Sequence, residues 1–486
     1  MKKLITLLAL VFCLNGRAQV GKEAWHWQFG QNCALDFSSG IPVAGVSKIN
    51  VLEGCASISD RNTGQLLFYT DGDSVWDKNN NRMPNGIGLI NGIQGTTTQA
   101  ATIVPKPDSS NIYYLITADA IYQPNRGVFY SVVDMNLNGG LGDVTIKNVL
   151  LTPPPTTEKV VATRHCNGVD YWVLTHTYNS NKFNAYLISA SGIDTTAIVS
   201  NIGTVEQSVG SSDYEGQGYL KASPNGKKLA VCFYSYTPNP IVELYDFDNA
   251  TGQVSNPITI PMNISVGSGA YYYAYGCSFS PDNTKLYVTT SGEFLNTNNI
   301  LQYDLSSGVA STIISSVVTI ASTTPVELYA LQIGPDGKIY VNYDAYAGAD
   351  SLGVINSPNN LGAACNFQSK CLTFNGGAVI REGFPNFIDA GIATTYTCGT
   401  SSIKQFANTN EQITIYPNPT NGSFVIEPSN ATKLTMQVYD INGKQVLSQT
   451  INGKTTIDAS SLNEGVYNIS LQSNEGVVNK RLVIVR

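Results

Sequence analysis

Between Gly54 and Val341 one pattern recurs: an apolar strand, a tight polar turn, then a second strand rich in Tyr, Val and Leu. Ser223-Pro224-Asn225-Gly226-Lys227-Lys228 precedes Leu229 to Phe233, and Ser280-Pro281-Asp282-Asn283-Thr284-Lys285 precedes Leu286 to Val288. Gly334-Pro335-Asp336-Gly337-Lys338 precedes Ile339 to Val341 in the same way. Proline presets φ at the second turn position, and Asn, Asp or Gly tolerates the backbone angles of the next, so each is a turn with a mechanism. Degenerate versions lie upstream at Asp60 to Gly64, Pro105 to Asp108 and His165 to Gly168. The turns fall roughly 46 to 59 residues apart, room for four strands per repeat and near the period of a β-propeller blade. Third strands come next at Ile241 to Asp246 and Ile300 to Leu305. A seventh blade can be assembled from the two ends of this region. Phe384 to Ile388 reads as a lone inner strand, while Trp25 to Phe29, Ala34 to Phe37 and Val43 to Val46 read as outer strands with no inner one before them. Joining them closes the ring, which removes exposed sheet edges.

Past this region the period stays at two. Leu434, Met436 and Val438 alternate with Thr435, Gln437 and Tyr439, the mark of a half-buried strand. Asn442-Gly443 supplies the positive-φ pair of a two-residue hairpin. Tyr467, Ile469 and Leu471 repeat the alternation, and Arg481 to Val485 forms a last strand. About seven short strands in some 70 residues make a small immunoglobulin-like sandwich. The expected fold is thus all-β, with a seven-bladed β-propeller over residues 19–397, a linker at 398–410 and a sandwich at 411–486.

The N-terminus has Lys2 and Lys3, an apolar run from Leu4 to Leu14, and Gly16-Arg17-Ala18 as a small-x-small cleavage site. This reads as a signal peptide over residues 1–18, with Gln19 as the mature start. The run is too short to span a bilayer, and no later stretch approaches ~18 apolar residues, so no transmembrane segment is expected. Only 13% of residues are charged and the net charge is −7, which argues against nucleic acid or an anionic membrane as partner. Nine cysteines fit an oxidising compartment. Cys365 and Cys371 are spaced to close a short loop, and Cys33 and Cys55 are further candidates for pairing; spacing alone leaves the connectivity open.

The residues carry two resemblances. Tyr416-Pro417-Asn418-Pro419, then Gly443-Lys444 after the strand that ends near Asp440, then Gly465 and Tyr467, closing on Lys480 to Arg486, resemble the type A C-terminal sorting domain of the type IX (Por) secretion system of Bacteroidetes. That resemblance implies passage through the periplasm and export to the cell surface or the medium. It also implies the type IX translocon and a sortase as partners. Glu53 to Asp60 with Leu67 to Gly72, Arg164 to Gly168 with Tyr171-Trp172-Val173 and His176, and Gly383 to Ile388 resemble the N-terminal region of large Bacteroidetes surface proteins. This second likeness, over residues 25–390, brings a propeller fold and an address but no activity.

In a propeller, the ends of second strands gather around the same channel mouth as the starts of inner strands. Asp71, Asp73, Asp119, His176, Glu293 and Asp344 come from strand ends, and Glu53, Glu158, Glu215, Glu327 and Glu382 from strand starts. The expected mouth is acidic, with Arg381 as counter-charge. Such a ring suits calcium, held through carboxylates and carbonyls, and a bound metal there can polarise an ester or lactone. Solvated loop carboxylates are the plainer reading. His165 and His176 flank one hairpin about 11 residues apart, roughly 35 Å at ~3.3 Å per residue, too far to share a metal. Asp77 to Arg82 starts like a calcium loop, but Arg82 stands where glycine is required. No nucleophile-elbow sequence occurs. The sequence therefore favours an exported binding or adhesion module with a polysaccharide or protein ligand. A calcium-dependent lactonase- or esterase-like hydrolase and a structural surface component remain the alternatives.

Overall fold

The computed structural model describes residues 21–91, 95–121, 125–206, 215–234, 241–262, 272–292, 297–324, 326–343, 349–389, 413–428, 433–440, 444–472 and 477–486. The expected signal peptide, the linker, the Asn442-Gly443 turn, and the candidates Glu293, Asp344 and Gly443 lie outside them. The chain divides into two compact units, residues 1–398 and 399–486.

Among its described residues the first unit holds seven antiparallel sheets. Sheet 1 has three strands, His26–Phe29, Gln31–Asp36 and Val43–Asn50. Sheet 2 runs from Ala56–Ser59 to Arg82–Ile87, sheet 3 from Ala101–Pro105 to Asp143–Thr152, and sheet 4 from Thr156–Arg164 to Ile198–Glu206. Sheet 5 runs from Leu220–Ala222 to Gln253–Pro261, sheet 6 from Tyr272–Phe279 to Val318–Thr323, and sheet 7 from Leu328–Ile333 to Phe367–Thr373. Sheets 2, 3, 5, 6 and 7 are four-stranded meanders, and sheet 4 has five strands. The first strands of sheets 2 to 7 lie beside one another in chain order, a propeller-like series.

Local chemistry sets this repeat. All six turn signals fall between the first and second strands of their sheets. Asp60 takes the amides of Asn62 and Thr63 at 3.1 and 2.6 Å, and the Ser223 hydroxyl takes that of Lys228 at 2.9 Å. Gly226 and Asn283 hold the positive φ that closes their turns, +64° and +67°. Among the described positions first strands are almost wholly buried; Thr156–Arg164 has no exposed position, Lys159 and Arg164 included. Neighbouring sheets cover both faces of such a strand, whereas a fourth strand such as Arg82–Ile87 is mostly exposed.

Residues 379–389 join the two ends of the series. Ala330 N of sheet 7 donates to Glu382 O at 3.2 Å, and Glu382 N donates to Leu52 O at 2.8 Å. Pro385 bridges Cys55 in parallel, and Val379 bridges Gln31 of sheet 1. The expected inner strand at Phe384 to Ile388 is therefore not a ladder strand. Pro385 has no N–H, and the segment meets several first strands at once, so side chains add to the backbone bond from Asn386 N to Cys55 O at 2.9 Å. Asn386 Nδ2 donates to Val160 O at 2.8 Å, Gln99 Nε2 to Asn386 Oδ1 at 3.3 Å, and Thr102 Oγ1 to Asn386 O at 3.2 Å. Trp27 of sheet 1 packs against Phe384, Phe387 and Tyr340, with ring centres 5.4, 5.7 and 5.3 Å away.

The disulfide candidates Cys33, Cys55, Cys365 and Cys371 are all free thiols, as are Cys232 and Cys277. Cys33 and Cys55 are fully buried, where packing rather than cross-linking holds them. Among the described residues Cys166 is disulfide-bonded.

The second unit holds a three-stranded sheet (Ile413–Tyr416, Ser423–Pro428, Thr455–Asp458) and a four-stranded one (Lys433–Tyr439, Gln445–Asn452, Gly465–Gln472, Val477–Ile484). Leu434, Met436, Val438, Ile469 and Leu471 form its core, as the alternation requires.

Candidate functional site

The mouth carboxylates are placed by strand ends, and most are consumed there. Glu158 Oε2 accepts from Thr98 N at 2.8 Å and Thr98 Oγ1 at 2.9 Å, while Oε1 accepts from Ile121 N at 3.1 Å. Burial still pushes its pKa up to about 7, against those hydrogen bonds. Asp119 binds Arg126 through two guanidinium contacts, at 2.8 and 2.9 Å, and through its amide at 2.7 Å. Asp71 takes the amides of Asp73 and Ser74 at 3.0 and 2.8 Å, a turn role, and burial raises its pKa. Asp77 likewise takes the amides of Asn79 and Asn81 and closes a hairpin. Among the described residues no group of three or more His, Cys, Asp or Glu side chains is arranged to hold a metal ion.

One pair does come together at the mouth. The Glu53 and Glu382 carboxyls lie within hydrogen-bonding reach, with Glu158 and Glu327 close enough to push their pKa values up further. Tyr275 donates to Glu53 Oε1 at 2.8 Å, and Glu53 Oε2 has no other donor. One of the two acids must therefore carry the proton between them. Burial, then like charge, raises Glu53 well above the carboxylate range and Glu382 to about 7. Arg381 opposes this for Glu382, but its guanidinium is hydrogen-bonded to Gln31 Oε1 at 2.9 Å.

His176 belongs to a second buried cluster. Lys159 Nζ donates to Glu206 Oε2 at 2.6 Å and to the carbonyls of Glu215 and Gln217, each at 2.7 Å. His176 Nδ1 approaches Glu206 Oε1 at 3.3 Å, and neither atom has another partner. The neutral tautomer with its proton on Nδ1 satisfies both. Burial, then Lys159, holds the His176 pKa down at about 3, and burial raises Glu206 to about 7. All three side chains are sealed from solvent, so this is a structural knot. Sequence reasoning missed Glu206. The available signal was Lys159 itself, a charge inside an otherwise buried first strand.

Open space lies at the opposite, turn-bearing ends of the first strands. A cleft of about 350 Å³ is lined by the first turns of sheets 2, 3 and 4: Ser59 to Asn62, Pro105 to Ser110, and Gly168 with Val169, together with Glu23, Tyr113 and Tyr171. A smaller cavity of about 40 Å³ shares Glu23, Pro105 and Tyr171 with it and reaches inward to Arg164, Asn386 and Phe387. Glu23 Oε1 bridges Arg164 at 3.0 Å and Arg61 at 3.3 Å, and the Arg164 guanidinium lies 5.1 Å from the Tyr171 ring centre. These turns were legible in the sequence; their convergence was not.

In the second unit the Tyr-Pro-Asn-Pro motif is tied to the final strand. Asn418 Nδ2 donates to Arg481 O at 2.6 Å and Oδ1 accepts from Val483 N at 2.9 Å, while Thr420 bridges Ile484. Tyr416–Pro417 and Asn418–Pro419 are both cis. Lys444 N donates to Asp440 Oδ1 at 3.0 Å, and Tyr467, in the strand that opens at Gly465, donates to Asn463 O at 2.9 Å.

No curated protein matches the chain. Among solved structures it is similar to the extracellular domain of a candidate one-component system from B. thetaiotaomicron, at 14% identity and TM-score 0.35, covering 95% of this chain and 56% of that one. A candidate 6-phosphogluconolactonase from Bacteroides fragilis is similar at 12% identity and TM-score 0.35, covering 84% and 95%. The periplasmic gluconolactonase of Pseudomonas aeruginosa is similar at 14% identity and TM-score 0.34, covering 69% and 98%. Likeness this distant says nothing of what the chain binds or turns over. The tail is different: residues 414–485 match the secretion system C-terminal sorting domain. The chain is a type IX secretion substrate, exported to the cell surface or secreted.

Proposed function

We propose that the chain is an exported binding module: a signal peptide over 1–18, a closed seven-bladed β-propeller over 19–397, a linker at 398–410 and a sorting domain at 411–486. Its sheet 1 and residues 379–389 together make the seventh blade. Its working surface is the cleft among the first turns of sheets 2, 3 and 4. The carrying observation is that cleft, whose volume of about 350 Å³ falls within the usual range for small-molecule sites, roughly 300 to 1,000 Å³. The mouth supports a ligand less well, because Asp71, Asp119 and Glu158 already spend their oxygens on protein donors.

Two measurements test this. Truncation after Asn410 is expected to leave the protein in the periplasm on cell fractionation, and unchanged release overturns the address. Purified full-length protein is then applied to an array of glycans and surface polymers, alongside a panel of lactones and aryl esters. Binding that weakens with Arg61→Ala supports the reading. Ester or lactone turnover that chelation or His176→Ala abolishes would sink it in favour of a hydrolase.

A further inference from the structure

We propose that residues 379–389 form a strap across the ring whose mouth section, Arg381 to Gly383, lifts as pH rises while its inner end stays seated. The mouth section belongs to no ladder. Ala330 N donates to Glu382 O at 3.2 Å, and the amides of Glu382 and Gly383 share one acceptor, Leu52 O, at 2.8 and 3.3 Å. Asn342 Nδ2 adds a bond to Arg381 O at 2.6 Å. Arg381 and Glu382 are half-buried, whereas Gly383 to Phe387 are buried.

The section that lifts is the one that carries like charge. Glu382 meets Glu53, and the backbones touch so closely that a Cβ on Gly383 would stand 2.1 Å from Glu53 O. With no slack there, the two carboxyls stay together only while a proton lies between them. Around them stand Glu158 of sheet 4, Tyr219 at the start of sheet 5, Tyr275 of sheet 6, and Glu327 and Tyr329 at the start of sheet 7. Burial keeps the three phenols neutral; Tyr275 donates to Glu53 and Tyr329 to Glu327. Arg381 is the opposing cation, and Gln31 Oε1 holds its guanidinium at 2.9 Å.

The inner end is built the other way. Asp389 lies 3.6 Å from Lys221 Nζ and accepts from Gln332 Nε2 at 2.7 Å, while Lys221 also donates to Gln332 Oε1 at 2.5 Å. All three side chains are buried. Ionisation of Asp389 brings opposite charges together, so rising pH gives this end nothing to separate. Glu382 differs: burial, then Glu327, raises its pKa to about 7. Lifted into water, the carboxyl returns toward its ordinary 4.5. The seated state is therefore fully favoured below that value and loses its advantage as pH rises through the raised one. Between pH 6 and pH 8 the lifted fraction should rise about tenfold, the effect of one proton over that window.

The experiment is native-state amide exchange of the purified full-length protein at pH 6 and pH 8, read by peptide mass, corrected for intrinsic exchange, and repeated in low urea. Protection at 381–383 and 52–54 is expected to fall about tenfold at pH 8, with no dependence on urea, the mark of a local opening. Residues 386–389 are expected to stay protected, and Glu382→Gln to exchange alike at both pH values. Strap amides that share the urea dependence of Ile112–Ala118 open only with the whole unit, and that result overturns the proposal. So does protection unchanged between the two pH values, a loss that spreads equally to 386–389, or a tenfold fall that persists in Glu382→Gln.

Discussion

Replacing Glu382 by Gln is expected to stabilise the protein, and only at high pH. The Glu382 carboxyl sits beside Glu53, with Glu327 as a further like charge and Arg381 as the opposing one. Burial, then Glu327, raises its pKa to about 7, against 4.5 for the free group, with the Glu53 hydrogen bond and Arg381 pulling the other way. An acid whose folded pKa lies above its unfolded value gives its full stabilisation below the unfolded pKa, and loses it as pH rises through the folded one. At about 1.4 kcal/mol per unit the loss across that window is on the order of 2–3 kcal/mol, allowing for partial solvent access. Glutamine does not titrate, so the variant carries no such loss. The variant should therefore melt about 3 °C above the parent at pH 8 and together with it near pH 4.5. Thermal melts by circular dichroism at the two pH values decide the matter. A variant no more stable than the parent at pH 8, or equally improved at both, would refute the shared-proton account.

Lys159→Met strands the Glu206 carboxylate in a sealed site and should cost about 3–5 kcal/mol in denaturant unfolding at pH 7. Adding Glu206→Gln should recover much of it, and a single variant as stable as the parent would show that the cluster carries no load. Denatured, unreduced protein should take up an alkylating agent at Cys33, Cys55, Cys232, Cys277, Cys365 and Cys371 but not at Cys166, and in the native state Cys371 alone among these is exposed enough to react. Peptide mass mapping reads both states, and alkylation of Cys166 without reductant would contradict the disulfide.

What the sequence made legible was local. Turn positions demand particular residues because φ is constrained there, so Gly226 and Asn283 announced their hairpins. The sandwich strands were equally plain, because one face of each meets the core and the other meets water. First strands were found through their turns rather than their pattern, since both faces are buried. The candidate site was much less legible. Asp119 looked available until Arg126 was seen to grip it, and Glu158 until Thr98 came across from the preceding loop. His176 was expected at the mouth as a strand end, but its partner Glu206 ends a strand whose pattern gives no hint of a buried charge. The cleft was invisible for the same reason: Arg61, Lys106 and Val169 lie in three separate turns, and only their packing makes a surface.

Residues 379–389, which tie Ala330 to Leu52 and Cys55, also fix an order of events. They are synthesised after every sheet of the first unit and before the sorting domain at 414–485. A chain broken off at any earlier point therefore lacks both the segment that joins the ends and the address that exports it. Because the address lies beyond the join, an incomplete product cannot present itself for dispatch. The tail acts as a certificate of completeness as well as a destination.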